Sequence, residues 1–321
     1  MSNSTSFDPA NCTYTTCSVT EYGQLTYIPS LPGNAFYLAV FAAAAIAQLT
    51  LGITYRTLSF TIGMLCGCAL EMLGYVARIQ LHYNDFDNNH FIVYLVGLTI
   101  APAFFSGSIY LCLARIIAMY GTGVSVLSPR AITVVFVCSD FFSLVLQAAG
   151  GALASLALSR SMLQAGINTM IAGLALQVAS TTVFCAVCLQ IVVRVFLRPG
   201  SVRRDTVGLA VRETGRFRYL LWGIAIATIA ILVRCSFRVA ELSKGFGSDL
   251  ANNQVLFMVL DGAMMSIAVL VLTGGHPGLA LGREMWREGG ITLCGNKSRK
   301  ARPIRVDSEP RATELRATMR K

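Results

Sequence analysis

Residues 58–80 have the sequence LSFTIGMLCGCALEMLGYVARIQ, an apolar run that contains the acid Glu71 and the base Arg78. At 1.5 Å per residue, such a run forms a helix about 35 Å long, which is enough to cross a hydrocarbon core of roughly 30 Å. Its apolar residues do not alternate with the period of two that a barrel strand requires. The run therefore predicts a membrane-spanning helix.

The composition extends this prediction to the whole chain. Of the 321 residues, 55% are hydrophobic and 13% are charged, whereas soluble domains have about 25% charged residues. Such a composition excludes a disordered chain, a coiled coil and a water-soluble enzyme. We predict an all-α membrane protein with a bundle of seven transmembrane helices at residues 36–54, 58–80, 91–117, 131–156, 167–195, 219–237 and 255–274.

The same pattern divides the chain into three parts. Residues 1–33 are expected to form an extracellular N-terminal segment and residues 34–282 the seven-helix membrane domain. Residues 283–321 are rich in basic residues and are expected to form a disordered cytoplasmic tail.

The basic residues predict the orientation. With the N-terminus outside and the C-terminus in the cytoplasm, 21 of the 26 Lys and Arg residues lie on the cytoplasmic side, as the positive-inside rule requires. The glycosylation sequons at Asn3 and Asn11 agree, because glycosylation occurs on the outer side. The start of the chain lacks the basic and apolar segments of a cleavable signal peptide. We expect a protein of the plasma membrane or another cellular membrane, whose net charge of +10 favours anionic inner-leaflet lipids as partners and not nucleic acid.

Neither a metal centre nor a cofactor is expected. Most of the ten cysteines lie within spans, where a thiol behaves as a small apolar group. Cys12 and Cys17 lie on the predicted oxidising side. They either form a disulfide or remain free thiols, and the sequence leaves both alternatives open. The three histidines fall on opposite sides of the membrane, so the zinc site of a membrane amidase is not expected. The chain lacks a phosphate-binding G-x-x-x-x-G-K-[ST] loop, so direct use of ATP is not expected either.

Three acids lie within the predicted spans, namely Glu71, Asp140 and Asp261. An ionisable residue in hydrocarbon is costly, so each indicates either a functional site or a structural partner. Asp140 and Gln147 belong to a polar stripe on the fourth span, and such a stripe faces protein or water. We therefore predict a substrate path that includes Glu71, Asp140, Gln147 and Asp261.

Four residues are candidates for structural ion pairs: Arg78, Arg234, Arg238 and Glu241. For Glu71 the alternative to a transport role is a pair with Arg78 or with another helix. Arg234 or Arg238 is expected to pair with Asp261, because opposite charges lower the cost of burial when they are buried together. The spacing of Gly63 and Gly67 predicts a close approach between helices.

Several motifs resemble those of the fungal aminocholesterol-resistance family, also called the lipid-translocating exporters. The similarity runs from about residue 27 to residue 282, and it is carried by Pro29-Ser30-Leu31, GMLCGCALEMLGYVARI (63–79), LTIAPAFFSGSIYLCLARII (98–117), FVCSDFFSLVLQAAGGA (136–152), FRVAEL (237–242), Leu260-Asp261-Gly262 and His276-Pro277-Gly278. The resemblance implies a seven-span protein with its N-terminus outside. It also implies a link to sphingoid-base export, to resistance against amphipathic toxicants or, in one branch, to porphyrin movement.

Our hypothesis from the sequence is a transporter of amphipathic lipids, above all sphingoid long-chain bases or related cationic amphiphiles. Because a cationic head group is costly in hydrocarbon, carboxylates at three depths would relay it across. The alternative is a seven-span receptor or sensor, or a regulator of lipid asymmetry, although Arg115 lacks the neighbouring acid of a receptor signature. An enzyme is not expected, because the ligands of a hydrolytic metal centre are missing.

Overall fold

The computed structural model describes residues 14, 18–19, 23, 25–120, 128–157, 159–197, 214–243 and 253–288. Every regular element in these ranges is helical, and seven helices are long and apolar enough to cross a bilayer, as predicted. They are α1 (Leu31–Tyr55), α2 (Leu58–Tyr83), α3 (Asn88–Tyr120), α4 (Pro129–Ser155), α5 (Arg160–Leu197), α6 (Gly215–Ser243) and α7, which comprises Gln254–Phe257, Met258–Ala263 and Met264–Gly274. A short helix, α8 (Pro277–Glu288), follows. Asn3, Asn11, Cys12 and Cys17 lie outside the described residues.

The helix starts follow ordinary capping chemistry. The Ser30 hydroxyl accepts a hydrogen bond from the backbone N–H of Gly33, and Ser128 caps α4 in the same way. The Asn253 side chain accepts from two backbone N–H groups at the start of α7. Such side chains satisfy the unpaired donors of a first turn. The sequence therefore specifies where these three spans begin.

Consecutive spans run in opposite directions; for example, Gly63 and Gly74 of α2 approach Ser108 and Leu98 of α3. We call the end of the bundle where α1 begins the N-side, and the opposite end the C-side. Glycines bring neighbouring helices close together: a Cβ atom on Gly67 would lie 2.5 Å from the Phe105 ring on α3, and one on Gly63 would lie 2.2 Å from the Ser108 hydroxyl. The close approach predicted for Gly63 and Gly67 is therefore confirmed, and α3 is the partner of α2.

Helix α7 contains a π-helical turn, Met258–Ala263, with Asp261 inside it. The Tyr37 hydroxyl on α1 donates a 2.6 Å hydrogen bond to the carbonyl oxygen of Met258. A π turn widens the helix and is often found at functional sites. It positions the Asp261 side chain between α6 and α7.

Helix α8 lies at the C-side. Gly282, with φ 73° and ψ 164°, interrupts it, and Trp286 beyond that break is buried. The Arg115 guanidinium lies 3.8 Å from the centre of the Trp286 ring and donates a hydrogen bond to the Trp286 carbonyl. The tail predicted to begin at residue 283 therefore starts within a helix that is packed against α3.

Candidate functional site

Arg234 on α6 and Asp261 on α7 form a buried ion pair. Arg234 Nε donates to Asp261 Oδ1 at 2.7 Å, and the exposed fractions of the two side chains are 0% and 1%. Arg234 Nη2 donates to the carbonyl oxygen of Leu98 on α3. The structure thus selects Arg234, of the two arginines considered, as the partner of Asp261.

Arg238 and Glu241 form a second pair one turn nearer the N-side. Arg238 Nη1 donates to Glu241 Oε2 at 2.7 Å, and Arg238 Nη2 donates to the Thr99 hydroxyl on α3 at 3.4 Å. Both side chains are largely buried. The two arginines therefore bind neighbouring residues of α3, Leu98 and Thr99.

Glu71 does not pair with Arg78, and that alternative was wrong. Seven residues separate the two along α2, which is about 10 Å of helix. Glu71 is fully buried, and neither of its carboxyl oxygens has a hydrogen-bond partner among the described residues. Asp261, Arg234 and Arg238 act on it electrostatically from α6 and α7. No interhelical ion pair of Glu71 forms within the described part of the chain.

Arg78 is held by neutral groups. Its Nε donates to Asn34 Oδ1 at 3.2 Å, and its Nη2 donates to the Tyr27 hydroxyl at 3.0 Å. The guanidinium lies 3.8 Å from the centre of the Phe257 ring and 4.8 Å from that of Tyr94. Such cation–π contacts compensate a buried arginine in part, so Arg78 joins α1, α2, α3 and α7 near the N-side.

Asp140 and Gln147 lie on the buried face of α4, as the polar stripe predicted, but they have different partners. Asp140 Oδ2 accepts a 2.9 Å hydrogen bond from the Tyr110 hydroxyl on α3. Gln147 Nε2 donates to Ser143 Oγ and to Gln177 Oε1 on α5. Gln147 Oε1 has no partner among the described residues and is available as an acceptor.

A groove of about 530 Å³ lies near the N-side between α3, α4 and α5. Its volume falls within the range of small-molecule sites. The polar residues that line it are Asn88, Thr99, Gln147 and Ser155, and the others are apolar, among them Leu95, Ala148, Gly151 and Met170. The lining of the groove is therefore mostly apolar, with a few polar groups.

A small chamber of about 20 Å³ adjoins the groove. Both cavities are lined by Leu95, Thr99, Gln147 and Met170, and the chamber adds the Arg238–Glu241 pair. Its volume admits one water-sized group. The structure thus brings Gln147 and Glu241 to one place, whereas Glu71, Asp140 and Asp261 line neither cavity. The sequence did not indicate Thr99 or the chamber, because a lone threonine in an apolar run carries no signal.

Asp85, in the connection between α2 and α3, forms a separate polar site outside the spans. Its Oδ2 accepts a 3.1 Å hydrogen bond from the Leu25 backbone N–H, and its own N–H donates to the Tyr14 hydroxyl. Burial raises the pKa of Asp85 to about 7, against the lowering effects of the Leu25 N–H and the Arg78 guanidinium. Asp85 therefore titrates in the physiological range and holds the segment that precedes α1.

The described ranges contain no group of three or more His, Cys, Asp or Glu side chains that is arranged to hold a metal ion. The cysteines within these ranges carry free thiols.

A model of a protein family described as RTA1-like protein matches residues 64–284. The chain belongs to the RTA1-like family. The resemblance to fungal lipid-translocating exporters is therefore confirmed, and the chain is a multi-pass membrane protein. This RTA1-like protein is 36% identical over 247 residues to the sphingoid long-chain base transporter RSB1 of Saccharomyces cerevisiae, covering 69% of this chain and 65% of that protein.

Two further relatives from Saccharomyces cerevisiae are more distant. Protein RTM1 is 28% identical over 249 residues, which cover 75% of this chain and 77% of RTM1. Protein RTA1 is 27% identical over 212 residues, which cover 66% of this chain and 63% of RTA1. The RTA1-like protein thus spans about 65% of the length of RSB1. No solved structure matches it.

Proposed function

We propose that this RTA1-like protein translocates cationic single-chain amphiphiles, with sphingoid long-chain bases as the preferred substrates. The observation that carries the proposal is the apolar groove of about 530 Å³ that adjoins a chamber lined by Glu241. The relative RSB1 is named a sphingoid long-chain base transporter. An alkyl chain suits the groove, and an ammonium group suits the chamber.

The chamber supplies the contacts that a charged head group needs away from water. A primary ammonium is a compact cation with three donors. Glu241 is a carboxylate acceptor, Gln147 Oε1 is an acceptor without a partner among the described residues, and the Thr99 hydroxyl accepts or donates. The head group would bind the Glu241 carboxylate beside Arg238, whose Nη1 donates to one carboxyl oxygen, Oε2, so that Arg238 keeps its partner.

Beyond the chamber, the path would continue along the acids of the bundle. Counted from the N-side helix ends, Glu241 lies about 3 Å deep, Asp261 about 10 Å and Glu71 about 18 Å. Arg234 and Arg238 bridge these levels on one face of α6. We propose the predicted relay through Glu71, Asp140 and Asp261 for the deeper half of the path, with Gln147 and Glu241 at its N-side end.

The orientation belongs to the same proposal. The N-side would face the outside, residues 1–33 would be extracellular, and the basic residues from 283 onward would meet anionic lipids of the inner leaflet of the plasma membrane. Export of amphiphiles from the cytoplasmic leaflet would confer resistance to them. In this proposal the protein moves lipids without chemical conversion and is not an enzyme.

A pair of adjacent alanines on α4 tests the groove. Ala148 lines it, whereas Ala149 is exposed elsewhere on the helix. In liposomes that contain fluorescent sphinganine, Ala148→Phe should slow movement between leaflets at least about tenfold, which corresponds to about 1.4 kcal/mol. Ala149→Phe is the matched control and should move the lipid as the wild type does.

The outcomes separate the candidate functions. Equal rates for Ala148→Phe and the wild type would remove the groove from the path. Binding of sphinganine without movement by the wild type would favour a receptor or sensor.

A further inference from the structure

Glu71 is a buried carboxyl group that lines neither the groove nor the chamber. It is fully buried in the middle of α2, and both of its carboxyl oxygens lack hydrogen-bond partners among the described residues. An ionised carboxylate without hydrogen bonds is far more costly to bury than the neutral acid. These surroundings favour a carboxyl that carries a proton.

The titratable and charged groups around Glu71 belong to four helices. Those that face it, or face Tyr75 beside it, are Tyr37, Cys68, Tyr75, Arg78, Arg234, Arg238 and Asp261. From α3, Leu98 and Phe105 pack against this part of α2, and neither of them titrates. Arg78 lies toward the N-side, where Asp85 is the acid on which it acts. Glu71 therefore responds chiefly to the two arginines of α6 and to Asp261.

When Glu71 is ionised, the cluster around it needs one additional cation for charge neutrality. Arg234 and Arg238 already have carboxylate partners, Asp261 and Glu241, each at 2.7 Å. These two pairs carry no net charge, so ionisation of Glu71 leaves one negative charge in excess. A proton on Glu71 restores neutrality, and so does an ammonium group beside it.

Polar atoms without hydrogen-bond partners next to Glu71 indicate a site for a polar ligand. Asp261 Oδ2 and the Tyr75 hydroxyl lack hydrogen-bond partners among the described residues, as do both oxygens of Glu71. Buried polar atoms are nearly always paired, so such a cluster calls for an explanation. An ammonium has three donors, and these oxygens are acceptors for them.

We infer that Glu71 is a proton-binding site that releases its proton when the ammonium group of the transported amphiphile enters the cluster. The inference rests on the proposed function, because it requires a cationic substrate. In the exchange the Glu71 O–H bond breaks, water takes the proton, and the ammonium neutralises the resulting carboxylate. The charge of the buried cluster is then unchanged, and amine binding opposes proton binding by linkage.

The test is the pH dependence of sphinganine binding to the purified full-length protein. Between about pH 5.5 and about pH 7.5 the ammonium stays charged, as alkylamines do. Wild-type affinity should increase by up to about tenfold per pH unit, the limit for one proton released per amine. A weakly buffered sample should acidify by about one proton per bound sphinganine.

Two variants isolate the source of the proton. Glu71→Gln is close in shape and has no proton to release, so it should bind sphinganine with an affinity that is independent of pH and without acidification. Asp85→Asn removes a second group that titrates in this range, since burial raises the pKa of Asp85 to about 7. Asp85→Asn should retain the pH dependence of the wild type.

The possible results distinguish a failure of the proton site from a failure of the proposed function. A flat wild-type profile, or a pH dependence that persists in Glu71→Gln, overturns the proton site and leaves the lipid path intact. If Glu71→Gln does not fold, the acidification of the wild type decides alone, and its absence overturns the inference. No sphinganine binding at any pH overturns the proposed function together with the proton site.

Discussion

Arg234 and Arg238 lie four residues apart on one face of α6, yet their surroundings differ. Arg234 is enclosed by protein and binds Asp261 and the Leu98 carbonyl. Arg238 lines the chamber, where it meets Glu241 and Thr99. Loss of either carboxylate would leave a buried cation, which costs about 3–5 kcal/mol. The two pairs therefore stabilise the contact of α6 with α3 and α7, and only the outer pair is open to a ligand.

At the same scale, Asp85 makes stability depend on pH. Burial raises its pKa from the ordinary 3.8 to about 7. The unfolded chain loses this proton near pH 4 and the folded protein near pH 7, so stability should fall as the pH rises through this window and stay level above it. We expect the midpoint of thermal unfolding in detergent to decrease from pH 5 to pH 7 in the wild type, by more than in Asp85→Asn.

The Asp85→Asn variant keeps an oxygen that accepts the Leu25 N–H hydrogen bond, so it removes the titration and not the contact. An identical decrease in both proteins would assign the effect to other groups.

Among the elements, α4 and α5 pack most closely through their backbones. A Cβ atom on Gly150 would lie 2.6 Å from the backbone nitrogen of Met170, whereas one on Gly151 would lie 3.9 Å from the Met170 sulfur. Gly150→Ala should therefore destabilise the protein by about 1–3 kcal/mol through overpacking. The lowered midpoint of thermal unfolding measures this effect.

Gly151→Ala is the adjacent control and should unfold close to the wild-type midpoint. If both variants unfold alike, the two helices can separate without cost, and the α4 wall of the groove is not rigid.

The π turn of α7 is the other element with a local consequence. Gly262 in this turn lies against Tyr37, since a Cβ atom there would come within 2.5 Å of the ring. The Tyr37 hydroxyl in turn binds the Met258 carbonyl. Contacts from α1 therefore hold the turn that presents Asp261 to Arg234.

For the whole molecule, the distribution of basic residues predicts that the N-terminus is extracellular. Expressed in a eukaryotic cell, the protein should carry glycans at Asn3 and Asn11 and move faster in gel electrophoresis after endoglycosidase treatment. The Asn3→Gln and Asn11→Gln double variant should lose this shift. Asn296→Gln alters the sequon of the predicted cytoplasmic tail and should leave the shift unchanged. A shift that depends on Asn296 would contradict this prediction and indicate that the C-terminal tail lies outside.

The number and type of the membrane-spanning helices follow from the sequence alone. A bilayer provides no partners for backbone N–H and C=O groups, so each long apolar run forms a helix wherever it is placed. Residues 88–120 and 160–197 form longer helices than their apolar cores of 91–117 and 167–195 indicated, chiefly because polar first turns, which begin at Asn88 and Arg160, continue the helix beyond the hydrocarbon. The pairing of Asp261 with an arginine could also be predicted from the sequence, because burying a charge costs less free energy when an opposite charge is buried beside it.

The groove, the chamber and the isolation of Glu71 depend on the packing of the bundle. Hydropathy specifies that a helix lies in the membrane but not its rotation about its own axis or which helix it contacts. Thr99, Gln147 and Glu241 come from three helices and meet at the chamber. Glu71 lies two turns from Arg78 on one helix, and its charged neighbours come from α6 and α7 instead. Contacts between residues far apart in the chain therefore decide which acids pair and which one, Glu71, has no hydrogen-bond partner among the described residues.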